Sequence, residues 1–308
     1  MRPSDIRNMA AVLGVLAFLL PACSRPSDRT RFNTPDDAAK ALLAALETNN
    51  ATELKAMFGP NAEQDLSSGD PVSDRRDRQV IALAMRQSWK WAPSGADRSE
   101  LVIGDDQWPL PIPLVKAGRG WEFDTDAGKD EILSRRIGRN ELRVIDLCRA
   151  YVLMQQEYAS QPRDGKLAGL YAQRFRSSPG RQNGLYWRVG AEEMPSPMGA
   201  LIDQAVVEGY DLRQTFPQPL WGYHFRVLTV QGPAAKGGAR SYIVNGEMSG
   251  GFGLIAYPAD YGQGGIMTFM VNQDGEVYQK DLGEETVNVA AGLSEYNPDG
   301  TWTAVKEP

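Results

Sequence analysis

The sequence predicts an α+β protein on three observations. Apolar residues recur at helical spacing between residues 34 and 91 and again between 140 and 160, and a proline-punctuated extended stretch lies between 101 and 123. From Tyr210 onward, short alternating runs are separated by glycine-rich turns. The expected architecture is a small N-terminal part of helices and antiparallel strands, followed by a long helix packed on a glycine-rich antiparallel sheet.

The order of elements follows from the N-terminus. Arg2 and Arg7 precede an apolar run from Met9 to Leu20, too short to span a membrane comfortably, so residues 1–22 read as an export signal. Leu20-Pro21-Ala22-Cys23 resembles the lipobox of bacterial lipoproteins, with Pro21 as its departure from the usual pattern. That resemblance implies a lipid on Cys23, and Ser24 after it implies the outer membrane, facing the periplasm. Residues 23–31 are a polar tether.

Folded structure is expected in two domains, 32–128 and 129–308. Thr34-Pro35-Asp36-Asp37 opens a helix with a cap, an N1 proline and first-turn acids, and Asn49-Asn50 ends it. A short helix through Leu54, Met57 and Phe58 stops at Gly59-Pro60, and a third runs from about Ser73 to Trp91. Leu101–Ile103, Leu110–Val115 and Trp121–Phe123 are strand candidates, and Pro109, Pro111 and Pro113 confine the middle piece to an edge. Helices followed by a few strands resemble the NTF2-like and cystatin-like cone folds. The second domain opens with a helix over Lys129–Ile137, a break at Gly138 and a long helix capped by Asn140 that ends near Ser160. Strands are expected at Tyr223–Val230, Ser241–Val244, Phe252–Tyr257, Ile266–Asn272 and Glu276–Lys280, the last two joined through Asp274-Gly275.

Composition excludes several activities. The chain of 308 residues carries 39 acidic and 33 basic side chains; without residues 1–22 the counts are 38 and 31, so the exported body is acidic and unsuited to nucleic acid. Its one histidine, His224, and two cysteines, Cys23 and Cys148, cannot supply a structural zinc set, and no metal or cofactor is expected. Cys148, among apolar helix neighbours, reads as a buried thiol. His224, between Tyr223 and Phe225, reads as a half-exposed strand residue without a local nucleophile motif. Asp124 to Glu131 fails as a calcium loop, because Lys129 and Arg135 stand where glycine and glutamate are needed; these acids cap a strand exit and a helix start.

Two positive candidates emerge. Arg135, Arg136, Arg139 and Arg143 cluster near an expected helix start, where free N–H groups favour an anion, the alternative being a salt-bridge belt with Glu131, Glu141 and Asp146. Tyr186, Trp187, Trp221, Tyr257 and Tyr261 are candidates for a carbohydrate or peptide groove, or for aromatic core.

Several stretches carry a family resemblance: Ser68-Gly69-Asp70-Pro71-Val72, Trp108-Pro109-Leu110-Pro111-Ile112-Pro113, Arg135-Arg136-Ile137-Gly138-Arg139-Asn140-Glu141-Leu142, Asn183-Gly184-Leu185-Tyr186-Trp187, Ser196-Pro197-Met198-Gly199, Gly222-Tyr223-His224-Phe225 and Ala256-Tyr257-Pro258-Ala259. Together they resemble the bacterial family called domain of unknown function 2950, a likeness that transfers location and fold expectations and no catalytic residues. Asn140-Glu141 with its helix, Gly222 to Phe225 and Phe269 to Tyr278 further resemble the globular part of type IV pilin-like proteins, without the pilin's apolar stalk. The combined expectation is a non-enzymatic envelope lipoprotein that docks another envelope protein or glycan and is held to the membrane by its lipid. The competing expectation is an envelope hydrolase using carboxylates.

Overall fold

The computed structural model describes residues 28–62, 66–68, 70–189, 194–208, 210 and 219–306; residues 1–22, which the sequence reads as an export signal, and Cys23 lie outside them. It is an α+β structure in which a helix shared by two antiparallel sheets organises the chain.

Capping sets the first helices. In α1 (Pro35–Glu47) the Asp37 amide donates to Thr34 Oγ1 at 3.1 Å and the Thr34 amide to Asp37 at 3.1 Å, a reciprocal capping box. Asn50 caps α2 (Ala51–Phe58), and Asp70 caps α3 (Pro71–Gln87) by accepting from the amides of Val72 and Ser73. The third helix ends before the expected Trp91. From Ser88 the backbone is extended, and Trp89 and Trp91 turn the same way toward the core on either side of exposed Lys90, a two-residue period.

The N-terminal sheet takes the order β1 (Trp89–Gly95), β2 (Arg98–Ile103), β4 (Leu114–Ala117), β5 (Gly120–Phe123), with β3 (Trp108–Pro109) pairing β2. The expected strand at 110–115 is therefore mostly absent; only Leu114 and Val115 join a ladder, because prolines at 109, 111 and 113 remove three donors. The first three helices and this sheet enclose Leu42, Leu46, Phe58, Met85, Leu101, Ile103, Leu114 and Phe123.

One helix, α4 (Thr125–Ala159), replaces the two that the sequence predicts. Asp124 caps it, accepting from the Ala127 amide at 3.2 Å, and the helix runs unbroken through Gly138 and past Asn140, which is no cap. A mid-helix glycine costs roughly 1 kcal/mol. Burial of Arg136, Asn140, Val144 and Ile145 on either side of it outweighs that cost. The helix passes the 128/129 boundary inside its first turn.

The second sheet takes the order β14-β13-β12-β11-β6, built from β6 (Tyr223–Leu228), β11 (Gly253–Pro258), β12 (Met267–Asn272), β13 (Tyr278–Asp281) and β14 (Thr303–Ala304). β12 and β13 pair antiparallel on either side of Asp274-Gly275, as the dipeptide predicts. The C-terminal half of α4 covers one face, packing Val144, Cys148 and Tyr151 on Leu254, Ala256, Phe269 and Val271. The other face carries Ile255, Met270 and Ala290, the last from α6 (Thr286–Gly292). Short pairs β7 (Val230–Gln231) with β8 (Arg240–Ser241), and β9 (Ile243–Val244) with β10 (Glu247–Met248), line the sheet's end, while α5 (Gly199–Glu208) packs beside α3.

The Asn140-Glu141 pair has its function here. Asn140 Nδ2 donates to the Gly264 carbonyl at 2.9 Å, and the Glu141 carboxylate accepts from the amides of Ile266 at 3.0 Å and Met267 at 2.9 Å. These three bonds satisfy backbone groups at the entry to β12 and fix the helix's register on the sheet.

Candidate ligand-binding cleft

Beyond the C-terminal end of α4, the chain makes a long irregular excursion from Gln161 to Val189 before α5. Ordered segments of this length without regular structure are the usual carriers of binding surfaces. The excursion is pinned rather than loose. Gln155, fully buried on α4, clasps the backbone of Ala172 with two bonds of 2.8 Å, and Tyr158 Oη donates to the Gln182 carbonyl at 2.7 Å.

A cleft of about 240 Å³ opens between this excursion and the β9–β10 hairpin. Two tight turns shape its mouth. Arg163 and Lys166 exchange backbone bonds of 3.2 and 2.9 Å across Asp164 (φ 53) and Gly165 (φ 77), and β9 turns into β10 across Asn245 (φ 53) and Gly246 (φ 81). Two consecutive positive φ angles define the type I′ hairpin turn that Asp-Gly and Asn-Gly favour. The Lys166 ammonium ties the turns together, donating to both Glu247 oxygens at 2.7 and 2.8 Å, and Gln173 Nε2 reaches the Gly246 carbonyl at 3.0 Å.

The electrostatics of the lining are lopsided. Asp164 is engaged by Arg181 through bonds of 2.5 to 3.1 Å, which hold its carboxyl below the usual range, and Glu247 is engaged by Lys166. Arg163 has no carboxylate partner among the described residues. The residue is 8% exposed, its guanidinium lies 4.9 Å from the Trp187 ring and 5.4 Å from the Tyr158 ring, and among the described residues only Nε donates to protein, to the Tyr158 carbonyl at 3.1 Å. The carbonyl and the negative end of α4 offset part of its charge. Neither Nη donates to a protein acceptor among the described residues, and Arg163 is one of the residues that line the cleft. Tyr171, Gln173, Arg174 and Asn183 complete a wall of ring edges, amides and one exposed cation.

None of Arg163, Lys166, Gln173 or Glu247 stands out in the sequence reading. The local signals are Asp164-Gly165 and Asn245-Gly246, dipeptides of the kind that marks the β12–β13 hairpin.

The arginine row sits elsewhere. Arg135, Arg136, Arg139 and Arg143 lie in the middle of α4, not at a helix start, so no free backbone N–H groups accompany them. Arg135 pairs with Glu131, bonds the Pro109 carbonyl and stacks 4.8 Å from Trp108; Arg136 is buried and donates to the Leu66 carbonyl at 2.9 Å. Arg139 binds Asp77 at 2.5 Å, and Arg143 lies 5.7 Å from the Trp221 ring. The acids of the predicted belt are divided: Glu131 serves it, Glu141 holds β12, and Asp146 lies 3.5 Å from Arg149.

Burial pushes the Asp77 carboxyl up, against the lowering pull of Arg139. A carboxyl raised in the folded state adds stability while protonated and loses it as pH rises through the folded value. Arg139→Ala is therefore expected to lower the unfolding temperature more at pH 7 than near pH 4, and Asp77→Asn to remove most of that pH dependence. Thermal unfolding of both variants at the two pH values checks it; equal losses at both would remove Asp77 as the cause.

The aromatic candidates do not form one groove. Trp187 backs the cleft through Arg163, Trp221 is buried beside Arg143, and Tyr257 lies on the opposite sheet face, 5.4 Å from His224. His224 is half-buried in β6, where burial lowers its pKa. Cys148 is fully buried and its thiol is pushed up to about 12 by desolvation. Among the described residues no group of three or more His, Cys, Asp or Glu side chains is placed to hold a metal ion, and no helix is long and apolar enough to cross a membrane.

A family model described as a protein of unknown function (DUF2950) matches residues 29–305. No curated protein and no solved structure matches the chain.

Proposed function

The chain belongs to the DUF2950 family, and from that premise we propose that it is a lipid-anchored, non-enzymatic protein of the bacterial envelope that binds a glycan in the cleft at the end of α4. The carrying observation is the cleft itself: a small, polar, pre-formed cavity lined by Tyr158, Tyr171, Gln173 and Asn183 and held by ion pairs on both flanks. Ring edges with amides and paired charges suit the hydroxyl-rich, partly apolar surface of a sugar. Both cleft carboxylates are committed to basic partners, which favours binding over acid–base chemistry.

The remaining parts of the proposal rest on the sequence. The signal and Cys23 support a lipid anchor, Ser24 supports the outer membrane, and the likeness of the second part to pilin-like heads supports a docking role for the unit carrying the cleft. The expected division at about residue 128 then places the cleft in the domain farther along the chain from the anchor.

Two measurements test this. Cys23→Ala is expected to move the protein from the membrane to the soluble fraction; unchanged fractionation removes the anchor. Leu167→Glu, at an 85% exposed position on the cleft rim, is expected to weaken retention on immobilised envelope polysaccharide at least about tenfold with an unchanged unfolding temperature. Unchanged retention removes the cleft.

A further inference from the structure

We infer that the cleft selects a ligand bearing a single carboxylate, and that Arg163 is the residue that reads it. The inference rests on the proposal that the cleft is a binding site and adds the chemical class of what fills it.

The lining holds three cations, Arg163, Lys166 and Arg174, against two carboxylates, Asp164 and Glu247. Lys166 and Glu247 neutralise each other, while Asp164 is neutralised by Arg181 from outside the lining. By this pairing two guanidinium charges remain, Arg163 and Arg174; only Arg163 is buried, so the desolvated wall of the cleft offers one positive charge, the complement of a single carboxylate.

A guanidinium that is nearly all buried has given up most of its hydration, and the only protein acceptor it has among the described residues is one backbone carbonyl, taken by Nε. A buried cation without a counter-charge is costly, and its position is best explained when a ligand brings the missing charge. The Tyr158 and Trp187 rings fix the plane of the fork, so its Nη groups are presented in a set orientation, which is the arrangement that binds a planar carboxylate through two parallel bonds. Arg174, exposed on the same wall, supplies longer-range attraction. The 240 Å³ volume limits the occupant to about one ring with its acid group.

Calorimetry on the full chain in detergent, with amide NMR to locate the contact, tests the inference with four probes: glucuronate, glucose, glucose 6-phosphate and N-acetylalanine. Glucuronate is expected to shift the amides of Lys166, Gln173 and Gly246 and to bind at least about tenfold more tightly than glucose. Binding of N-acetylalanine equal to glucuronate also supports a carboxylate and assigns it to a peptide end; weaker binding assigns it to a sugar acid. Arg163→Gln is expected to reduce glucuronate affinity about tenfold to a hundredfold while leaving glucose affinity unchanged, and Arg163→Lys to restore only part of it. Should Arg163→Gln unfold the lobe, Arg174→Gln at an exposed position gives the independent reading, a few-fold loss for glucuronate alone. Equal affinity for glucose and glucuronate at the same amides overturns the carboxylate and leaves the glycan cleft standing, as does tighter binding of glucose 6-phosphate. If no probe shifts a cleft amide at millimolar concentration, the carboxylate and the cleft fall together.

Discussion

Gln155→Leu is expected to cost about 3–5 kcal/mol and to release the cleft lobe before the sheet unfolds. Gln155 is fully buried, and its carboxamide behaves like a strand segment inserted into the core. Oε1 accepts the Ala172 amide at 2.8 Å, and Nε2 donates to the Ala172 carbonyl and to Tyr151 Oη, each at 2.8 Å. Tyr151 in turn donates to the Gly253 carbonyl at 3.3 Å on β11, so the single amide connects helix, lobe and sheet. Leucine matches the volume closely but leaves the N–H and C=O of Ala172 without partners where water does not reach. Each orphaned group costs about 1–3 kcal/mol, and the loss exceeds the gain from an added apolar contact. Native-state hydrogen exchange is the direct measurement: the amides of Lys166 and Tyr171 should lose protection while those of β11 and β12 keep theirs. Uniform loss across both, or a stability change under about 1 kcal/mol, would show that the lobe is held by something else.

The same contrast explains which features the sequence could disclose. The helix starts at Thr34, Asn50 and Asp70 and the Asp274-Gly275 hairpin are decided by residues within a few positions of one another, and they are where the sequence puts them or close to it. Gly138 and Asn140 look like a break and a cap because that judgement uses local propensity; α4 continues because Asn140 is claimed by Gly264, more than a hundred residues away. β1 is hidden for a related reason, since Trp89 and Trp91 extend an apolar helical stripe until the backbone changes period at Ser88. The cleft is the least legible part. Its turns are local, but its ion pairs join Lys166 to Glu247 and its floor joins Arg163 to Trp187, and no periodicity announces such contacts in Gln161-Pro162-Arg163-Asp164-Gly165-Lys166. The arginine row is the converse case. Four cations on one helix attract attention as charges, yet the fold uses each on a separate partner along the N-terminal unit and Trp221.

Gly265→Ala is expected to destabilise the protein by about 3–5 kcal/mol although it adds a single methyl group. The glycines around β12 are close-approach residues. A Cβ on Gly265 would lie 2.0 Å from Tyr223 Oη and 2.4 Å from Cζ, far inside any tolerated contact. Tyr223 cannot yield, because it is fully buried in the core, its hydroxyl donates to the Met267 carbonyl at 3.0 Å, and its ring packs 6.0 Å from Phe269. Nor can the backbone at 264–267 retreat, since Asn140 and Glu141 hold it against α4. The strain must therefore expel the tyrosine from the core or break the helix–sheet register. Tyr223→Phe removes the oxygen but not the ring carbons, so it should rescue little. Tyr223→Leu removes all three clashing atoms, Oη, Cζ and Cε2, at the cost of a cavity, so the double variant with Gly265→Ala should be markedly more stable than the two single losses added together. Denaturant unfolding of the four proteins measures that coupling. Simple additivity would mean that Gly265 and Tyr223 do not meet, and the packing of β6 on the β12 entry would then be wrong.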